Sequence, residues 1–251
     1  MIRHVHGETV SVRYAHDRFW IIDWPTASVP MAEPWHSPTP MDEEAVAYDL
    51  FFQEYTPAEG DVVIDVGAGI GTELVLFSRL VGPDGHVYAI EADPQTFGWL
   101  ERRRDANGLT NVTLIEAAAS DAPGELLLST EGAYEAHHVA TTGTGLRVKA
   151  ITLDGLVEDH GLTHVDFLKM NIEGAERMAL EGMRDGLALV RNATIACHDF
   201  LADTGGDDWM RTKDFVHRFL QGHGFDVVER RADDDRPWAR DYVFARRPRS
   251  G

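Results

Sequence analysis

The sequence predicts an α/β protein with a central, mostly parallel sheet of seven strands, helices on both faces of that sheet, and an N-terminal β-hairpin. Two observations carry this prediction. From about residue 42 onward, short apolar runs alternate with segments of helical periodicity, and the first of these runs stops in a glycine-rich turn. Because 251 residues suit one α/β domain with an appended element, we expect residues 1–41 to form an N-terminal cap and residues 42–251 the main domain.

The glycine-rich turn closes the segment 62–71, which reads VVIDVGAGIG. Gly67, Gly69 and Gly71 allow a tight strand-to-helix turn and a close approach of ligand to backbone around Ala68. Their G-x-G-x-G spacing differs from the G-x-G-x-x-G of dinucleotide sites. Asp65 would oppose a phosphate but suits a cationic ligand, held through water or through the amides of the turn. The motif therefore favours S-adenosylmethionine, which carries a sulfonium and an ammonium group and no phosphate.

The second strand, predicted over 86–91, ends in Glu91, about 20 residues beyond the glycine turn. A carboxylate at this position can accept hydrogen bonds from both ribose hydroxyls of an adenosine, so it serves NAD and S-adenosylmethionine alike. Asp93 and Pro94 then supply the cap and first position of a helix. After the third strand, 111–115, the small side chains of Ala117 and Ala118 are expected to lie beside the adenine.

The fourth and fifth strands, predicted over 163–171 and 193–197, supply the polar residues expected on the acceptor side. In a sheet of order 3-2-1-4-5, ligands bind beyond the carboxyl ends of strands one and four. Asn171 and Glu173 would then stand beside the glycine turn. His198 would lie at the mouth of the same crevice, where we interpret it as a general base oriented by Glu173 or Asp199. Two last strands are expected over 225–229 and 241–246.

The N-terminal segment reads as a hairpin of residues 9–14 and 19–22, placed where it could cover the nucleotide pocket. A proline-rich, irregular connector is expected over residues 25–40, followed by a helix capped by Asp42. The segment is rich in aromatic and histidine side chains, but these lack the spacing of metal ligands, so we expect them to pack in a core rather than to bind a metal. Stacking of these side chains on a substrate ring is the alternative. Those side chains are His4, His6, His16, Trp20, Trp24, Trp35 and His36.

Composition excludes several classes of protein and of site. The net charge of −19 argues against nucleic-acid binding through a broadly basic surface. No run of about 18 apolar residues is present and the first residues do not resemble a signal peptide, so we expect a cytoplasmic protein without a membrane partner. Cys197 is the only cysteine, which excludes an internal disulfide. The expected partner is a small hydroxylated acceptor, and self-association is left open.

Taken together, these segments resemble the FkbM family of S-adenosylmethionine-dependent methyltransferases, which have a Rossmann-like class I methyltransferase fold. The matching segments are 64–71, 91–94 (which adds Ala92 to the cofactor contacts), 152–156, 166–176 and the histidine after strand five. The resemblance covers residues 42–229 and implies transfer of a methyl group to a hydroxyl oxygen, often on a sugar or a natural product. One departure is Asn171, where the family usually has Asp, and an amide there weakens any role in orienting a hydroxyl or binding a metal.

Two other functions remain as alternatives at this point. An NAD-dependent oxidoreductase would share Glu91, but the chain lacks the G-x-G-x-x-G spacing and a recognisable Tyr-x-x-x-Lys pair. A non-catalytic module that binds S-adenosylmethionine would use the same cofactor residues without turnover. Ligand binding and turnover separate these alternatives from a methyltransferase.

Overall fold

The computed structural model describes residues 2–5, 7–15, 18–33, 39–129, 138–139, 145–205, 208–230 and 234–248. The strands, in chain order, are β1 (Ile2–Val5), β2 (Glu8–Tyr14), β3 (Trp20–Asp23), β4 (Ser28–Met31), β5 (Val62–Val66), β6 (His86–Glu91), β7 (Val112–Glu116), β8 (Ala118–Ala119), β9 (Gly124–Ser129), β10 (His138–Val139), β11 (Leu146–Ile151), β12 (Val165–Asn171), β13 (Val190–Ala196), β14 (Asp226–Glu229) and β15 (Tyr242–Arg246). The α-helices are α1 (Pro40–Leu50), α2 (Leu74–Val81), α3 (Pro94–Ala106), α4 (Leu153–Asp159), α5 (Glu176–Glu181), α6 (Asp199–Asp203) and α7 (Lys213–Gly222).

The central sheet has seven strands in the order β14-β15-β13-β12-β5-β6-β7. All neighbours pair in parallel except β15, which runs antiparallel to both β13 and β14. This arrangement confirms the predicted mostly parallel sheet, the order 3-2-1-4-5 of its first five strands and the two last strands.

The sheet is buried on both faces, as parallel sheets usually are. Successive side chains of β12 alternate between two apolar cores. Leu168 and Met170 lie in the core covered by α4, α5 and α7, whereas Phe167 lies in the core covered by α1 and α2. The apolar runs in the sequence are therefore strands sandwiched between helices, which leaves their carboxyl ends free to form a site.

A second, small sheet has the order β10-β9-β11-β8. Its members β9 and β11 pair antiparallel. β8 follows directly after β7 and pairs in parallel with β11. Ala118 in β8 is thereby fixed at the carboxyl end of the central sheet.

The N-terminal region is a four-stranded antiparallel sheet, β1-β2-β3-β4, in which the predicted hairpin forms the middle pair. The prediction of an irregular connector was wrong for Ser28–Met31, which forms β4. Proline lacks a backbone N–H and cannot donate a hydrogen bond to a neighbouring strand, so β-sheets accept it mainly in edge strands. Pro30 lies in the edge strand β4. Residues 34–38 of the predicted connector, with His6, His16, Trp35 and His36, lie outside the described residues.

The described residues of the N-terminal sheet dock on α3. Asn107, which caps the end of α3, donates to the carbonyl oxygen of Ser28 and accepts from its amide, both at 2.7 Å. Phe19 packs edge-on against Trp99 of α3, with ring centroids 5.9 Å apart. Within the described part of this sheet, no residue lines the cavity at the carboxyl edge of the central sheet. The expectation of a lid is not supported there.

Helix α1 begins earlier than predicted. Thr39, not Asp42, is its N-cap, and Asp42 forms the other half of a capping box with it. Among the described residues, no helix combines the length and the apolar character needed to cross a lipid bilayer.

Candidate active site

A cavity opens at the carboxyl ends of β5, β6 and β12, where a doubly wound sheet binds its ligands. It is lined by Val66, Gly67, Ala68, Gly69, Ile70, Thr72, Glu73, Ile90, Glu91, Ala92, Ala117, Ala118, Ala119, Leu128, Lys169, Asn171, Ile172, Glu173 and Ala175. Of the predicted site residues, those that line this cavity are Gly67, Ala68, Gly69, Glu91, Ala92, Ala117, Ala118, Asn171 and Glu173. Asp65, Gly71 and His198 do not line it.

The glycine turn is shaped by contacts that leave no room for side chains. Gly67 has φ +76, and a Cβ there would lie 2.0 Å from the carbonyl oxygen of Asn171. The amides of Gly67 and Ala68 both donate to the carbonyl oxygen of Ile90 at 2.9 Å. Gly71, with φ +86, packs under α3, where a Cβ would lie 2.9 Å from Leu100. Gly71 thus fixes helix packing, and Gly67 forms the floor of the cavity.

Glu91 is held in place by the backbone around it. Its Oε2 accepts from the amide of Gly69 at 2.9 Å, and its Oε1 accepts from the amide of Asp93 at 2.9 Å. Burial raises the pKa of the carboxyl group against the opposing effect of these hydrogen bonds. The side chain therefore stands at the cavity wall in one orientation, with lone pairs left to accept further hydrogen bonds.

Asp65 lies behind the turn and is separated from the cavity by Lys169. Its Oδ1 lies 2.8 Å from the Lys169 Nζ, and both side chains are 1% exposed. Lys169 also donates to the carbonyl oxygen of Gly67 at 2.8 Å. Burial disfavours the ammonium, but the carboxylates of Asp65 and Glu73 outweigh that effect and raise the pKa of Lys169. The expected indirect contact of Asp65 with a cationic ligand stays a prediction, and its carboxylate is already paired with a lysine.

Glu73 is the second carboxylate near this lysine. It precedes α2, is 8% exposed and lines the cavity, with its Oε2 4.0 Å from the Lys169 Nζ. Burial raises the pKa of Glu73, and Lys169 only partly offsets that effect. Lys169 is thus shared unequally between two carboxylates.

His198 lies behind the cavity wall and is clamped between two carboxylates. Its Nδ1 is 2.7 Å from the Oε1 of Glu176, and its Nε2 is 3.2 Å from the Oε1 of Glu173. Burial opposes protonation, but the charges of Glu176 and Glu173 prevail and raise the pKa of His198 to about 10. The imidazole therefore holds its proton at neutral pH. The role of His198 as general base stays a prediction. Of His198 and Glu173, only Glu173 lines the cavity.

Glu176 anchors this cluster from below. Its carboxylate is fully buried and accepts from the hydroxyl of Thr212 at 2.8 Å and from the amide of Gly174 at 3.1 Å. Burial would raise the pKa of Glu176, but the interaction with His198 dominates and lowers it. Asp199, expected as a partner that orients His198, instead accepts from the amide of Thr212 at 2.8 Å.

Glu173 has an unusual backbone conformation. Its φ of +50 lies in the left-handed region, which a non-glycine residue rarely adopts, and Gly174 follows with φ +95. Such conformations cost free energy and concentrate at functional sites. The turn after β12 therefore aims the Glu173 carboxylate at the cavity and at His198.

The sequence of the chain matches a known protein family. The family model of the methyltransferase FkbM domain matches residues 65–227. The chain belongs to the FkbM family of S-adenosylmethionine-dependent methyltransferases. This membership decides between the methyltransferase and the NAD-dependent oxidoreductase in favour of the former.

Two curated relatives and one solved structure are similar to this FkbM-family chain. It is 29% identical over 202 residues to the 31-O-demethyl-FK506 methyltransferase FkbM of Streptomyces tacrolimicus, covering 67% of this chain and 74% of that protein. It is 31% identical over 142 residues to the hexuronic acid methyltransferase AglP of Haloferax volcanii, covering 56% of this chain and 57% of AglP. The methyltransferase FkbM structure from Methylobacillus flagellatus KT matches with a TM-score of 0.55 and 18% identity, covering 82% of this chain and 50% of that one. The chain thus spans little more than half of AglP and half of the Methylobacillus protein.

In this FkbM-family chain, the sequence did not predict a role for four residues in or beside the site: Lys169, Glu176, Glu73 and Thr212. Lys169 and Glu176 are part of the segment that carries the family resemblance, yet neither was assigned a role. Their burial follows only from the pairing of β12 with β5 and from the packing of α5. Glu73 and Thr212 carry no motif signal, although a Glu directly before an apolar helix is a usable clue.

Proposed function

We propose that the chain transfers the methyl group of S-adenosylmethionine to a hydroxyl oxygen of a small acceptor, a sugar or another natural product. The observation that carries this proposal is that one cavity brings together the Glu91-held glycine turn and the Glu173 carboxylate. The carboxylate expected to bind the cofactor, Glu91 at the end of β6, and the proton acceptor, Glu173 after β12, then line the same cavity on either side of β5.

The residues present fit this cofactor. Glu91 offers acceptor atoms for a ribose, and Ala117 and Ala118 provide a small-residue surface for an adenine. The acidic wall at Glu73 suits a ligand with positive charge and no phosphate. When bound, S-adenosylmethionine supplies a methyl group already activated by its sulfonium, so the protein chiefly has to align the reactants and exclude water.

The acceptor hydroxyl needs a group that removes its proton as the new carbon–oxygen bond forms. Glu173 lines the cavity and can accept a hydrogen bond from that hydroxyl, whereas His198 lies behind it. We assign the proton to the Glu173 carboxylate, with protonated His198 orienting that carboxylate through Nε2. The predicted catalytic histidine then acts through its neighbour, and the amide of Asn171 is left to bind the acceptor.

The named substrates of the relatives support the acceptor class. One relative is named for a demethylated form of FK506 and the other for hexuronic acid, so a natural product and a sugar acid are represented. Both are hydroxylated molecules, which is consistent with O-methylation by this chain.

The first test is calorimetric titration with S-adenosylhomocysteine and, separately, with NADH. Glu91→Gln should weaken S-adenosylhomocysteine binding by about tenfold or more, because a charge-assisted hydrogen bond to the ribose is lost. Glu116→Gln is the matched control, since Glu116 ends the neighbouring strand opposite Glu91 but is exposed. Preference for NADH, or equal effects of the two variants, would contradict the assigned cofactor site.

Turnover is tested on a panel of hydroxylated sugars and macrolides with labelled S-adenosylmethionine. Glu173→Gln should abolish turnover on any acceptor that wild type methylates while leaving S-adenosylhomocysteine affinity unchanged. Cofactor binding without turnover on every acceptor would favour a non-catalytic binding module instead.

A further inference from the structure

Two aromatic side chains lie beside the strand end that carries His198. β13 is parallel to β12, so its carboxyl end lies at the same edge of the sheet as the cavity. His198 follows that end, and its Nε2 is 3.2 Å from the Oε1 of Glu173, the carboxylate assigned to the acceptor proton. Side chains next to His198 are therefore placed to contact the body of an acceptor whose hydroxyl reaches Glu173.

Phe200 is the first of these aromatic side chains. It lies in α6, a short helix in which no residue is buried, and its ring centroid is 5.9 Å from that of His198. Polar contacts hold this helix in place. The amide of Phe200 donates to the Oδ2 of Asp241 at 3.2 Å, and Asp199 accepts from the amide of Thr212 at 2.8 Å. Because α6 is not held by burial of apolar groups, the partly exposed ring of Phe200 remains accessible to a ligand.

Trp238 is the second, and it lies in the turn that leads into β15. Tyr242, the first residue of β15, pairs with the last residue of β13, and the amide of Cys197 donates to the carbonyl oxygen of Asp241 at 3.0 Å. The turn therefore reaches the sheet at the strand end that carries His198. Trp238 and Phe200 thus belong to two segments that meet at Asp241.

The turn that carries Trp238 is anchored on both sides. Ala239 is fully buried in the core covered by α1 and α2. The guanidinium of Arg236 lies 2.7 Å from the carboxylate of Asp49, near the end of α1, and 2.8 Å from that of Asp234. Isolated exposed hydrophobic residues are common, but Trp238 is 51% exposed between two anchors. A side chain on so constrained a backbone loses little conformational freedom when a ligand binds, which favours a binding role.

The chemistry of these two side chains indicates what they bind. The face of an aromatic ring carries partial negative charge and attracts the weakly positive C–H groups of a saturated ring. Small-molecule sites commonly combine such aromatic surfaces with a few polar groups that fix orientation. Here Glu173 and Asn171 supply the polar groups in the cavity.

We propose that Phe200 and Trp238 bind the acceptor by packing on the C–H face of a saturated ring. The substrate class is then a cyclic hydroxylated molecule, such as a pyranose, in preference to a linear polyol. This inference rests on the proposed function, because it names the acceptor class of the same site. The cavity selects the hydroxyl that is methylated, and the two aromatic residues select the shape of the molecule that carries it.

The test is calorimetric titration of protein saturated with S-adenosylhomocysteine, using methyl β-D-glucopyranoside and sorbitol as probes. Sorbitol carries the hydroxyl groups of glucose on an open chain. Wild type should bind the glucopyranoside about tenfold more tightly than sorbitol, because the open chain lacks a C–H face. Phe200→Leu and Trp238→Leu should each weaken binding of the glucopyranoside by about threefold to tenfold and leave sorbitol unchanged. Leucine keeps apolar bulk and removes the aromatic face. Tyr14→Leu is the matched control, since Tyr14 is 56% exposed on the N-terminal sheet.

Four results would overturn the inference. These are equal affinity of wild type for the two probes, an unchanged glucopyranoside affinity in either variant, an equal loss for both probes, and no binding of the glucopyranoside. An equal loss in Phe200→Leu would mean that Phe200 only supports the cluster around His198. Failure of wild type to bind S-adenosylhomocysteine would instead refute the proposed function.

Discussion

Replacement of Gly67 by alanine tests the claim that the cavity floor is made by a contact between two backbones. The added Cβ would lie 2.0 Å from the carbonyl oxygen of Asn171 and 2.9 Å from a side-chain methyl of Ile172. The φ of +76 also places an alanine in the left-handed region. Two separate costs therefore apply, one conformational and one steric.

The two costs have different magnitudes. A left-handed conformation costs an alanine about 1–2 kcal/mol. Overpacking against a fixed neighbour costs about 1–3 kcal/mol more, and a carbonyl oxygen within a sheet ladder cannot rotate away. We expect Gly67→Ala to lower the free energy of unfolding by about 2–5 kcal/mol in total, a large part of the 5–15 kcal/mol typical of a domain.

Gly60→Ala is the matched control, because Gly60 has φ +87 and no atom within 4 Å of the position that a Cβ would take. It carries the conformational cost without the steric one, so urea unfolding followed by circular dichroism should show about 1–2 kcal/mol of destabilisation. S-adenosylhomocysteine affinity should fall in Gly67→Ala and stay constant in Gly60→Ala. Equal destabilisation of the two variants would refute the steric reasoning.

Three further predictions concern buried charges. Folding raises the pKa of His198 from 6.5 to about 10. Protonation of His198 therefore stabilises the folded state fully below pH 6.5, and this stabilisation is lost as the pH rises to about 10. Unfolding free energy should therefore fall across that window with a slope of up to about 1.4 kcal/mol per pH unit, measured by urea titration, and His198→Asn should flatten the slope. Lys169→Met should cost about 3–5 kcal/mol by leaving Asp65 unpaired, and Asp65→Asn in the same chain should restore most of it; a single variant as stable as wild type would contradict this. Arg103→Met should lower the free energy of unfolding by a similar amount, because it leaves Glu43 unpaired. Arg103 of α3 and Glu43 of α1 form an ion pair whose side chains are 2% and 5% exposed. Thermal melting of the single variant, and of the double variant with Glu43→Leu, measures whether the loss is reversed.

The parts of the site that the sequence predicted are those encoded within a few residues. The glycine turn, Glu91 at the end of its strand and the Asp93 cap each depend on local backbone geometry. The N-cap of α3 is confirmed, with Asp93 accepting from the amide of Thr96 at 2.8 Å. Local signals failed where two of them competed. Asp42 and Thr39 are both good N-cap residues. In a capping box the N-cap is followed three residues later by an acceptor side chain, so Thr39 is the N-cap and Asp42 is its partner.

The parts that the sequence did not predict depend on strand register and helix packing. Lys169 reaches Asp65 because those two residues are directly opposite in the β12–β5 ladder. Glu176 approaches His198 from another element, α5, and no single-sequence signal reports that approach. The prolines of the N-terminal segment predict an irregular connector, yet Pro30 lies in an edge strand, where no ladder donor is needed.

The hydrogen bond from Lys169 to Gly67 joins residues 102 positions apart in the chain. β5 and β6 are neighbours in sequence and can pair early, whereas the pairing of β5 with β12 must close a long loop and is expected late in folding. Cofactor binding during refolding should therefore lag behind the appearance of helix. During synthesis, a chain that ends before residue 165 already carries the whole glycine motif, but it still lacks the strand that completes the cavity.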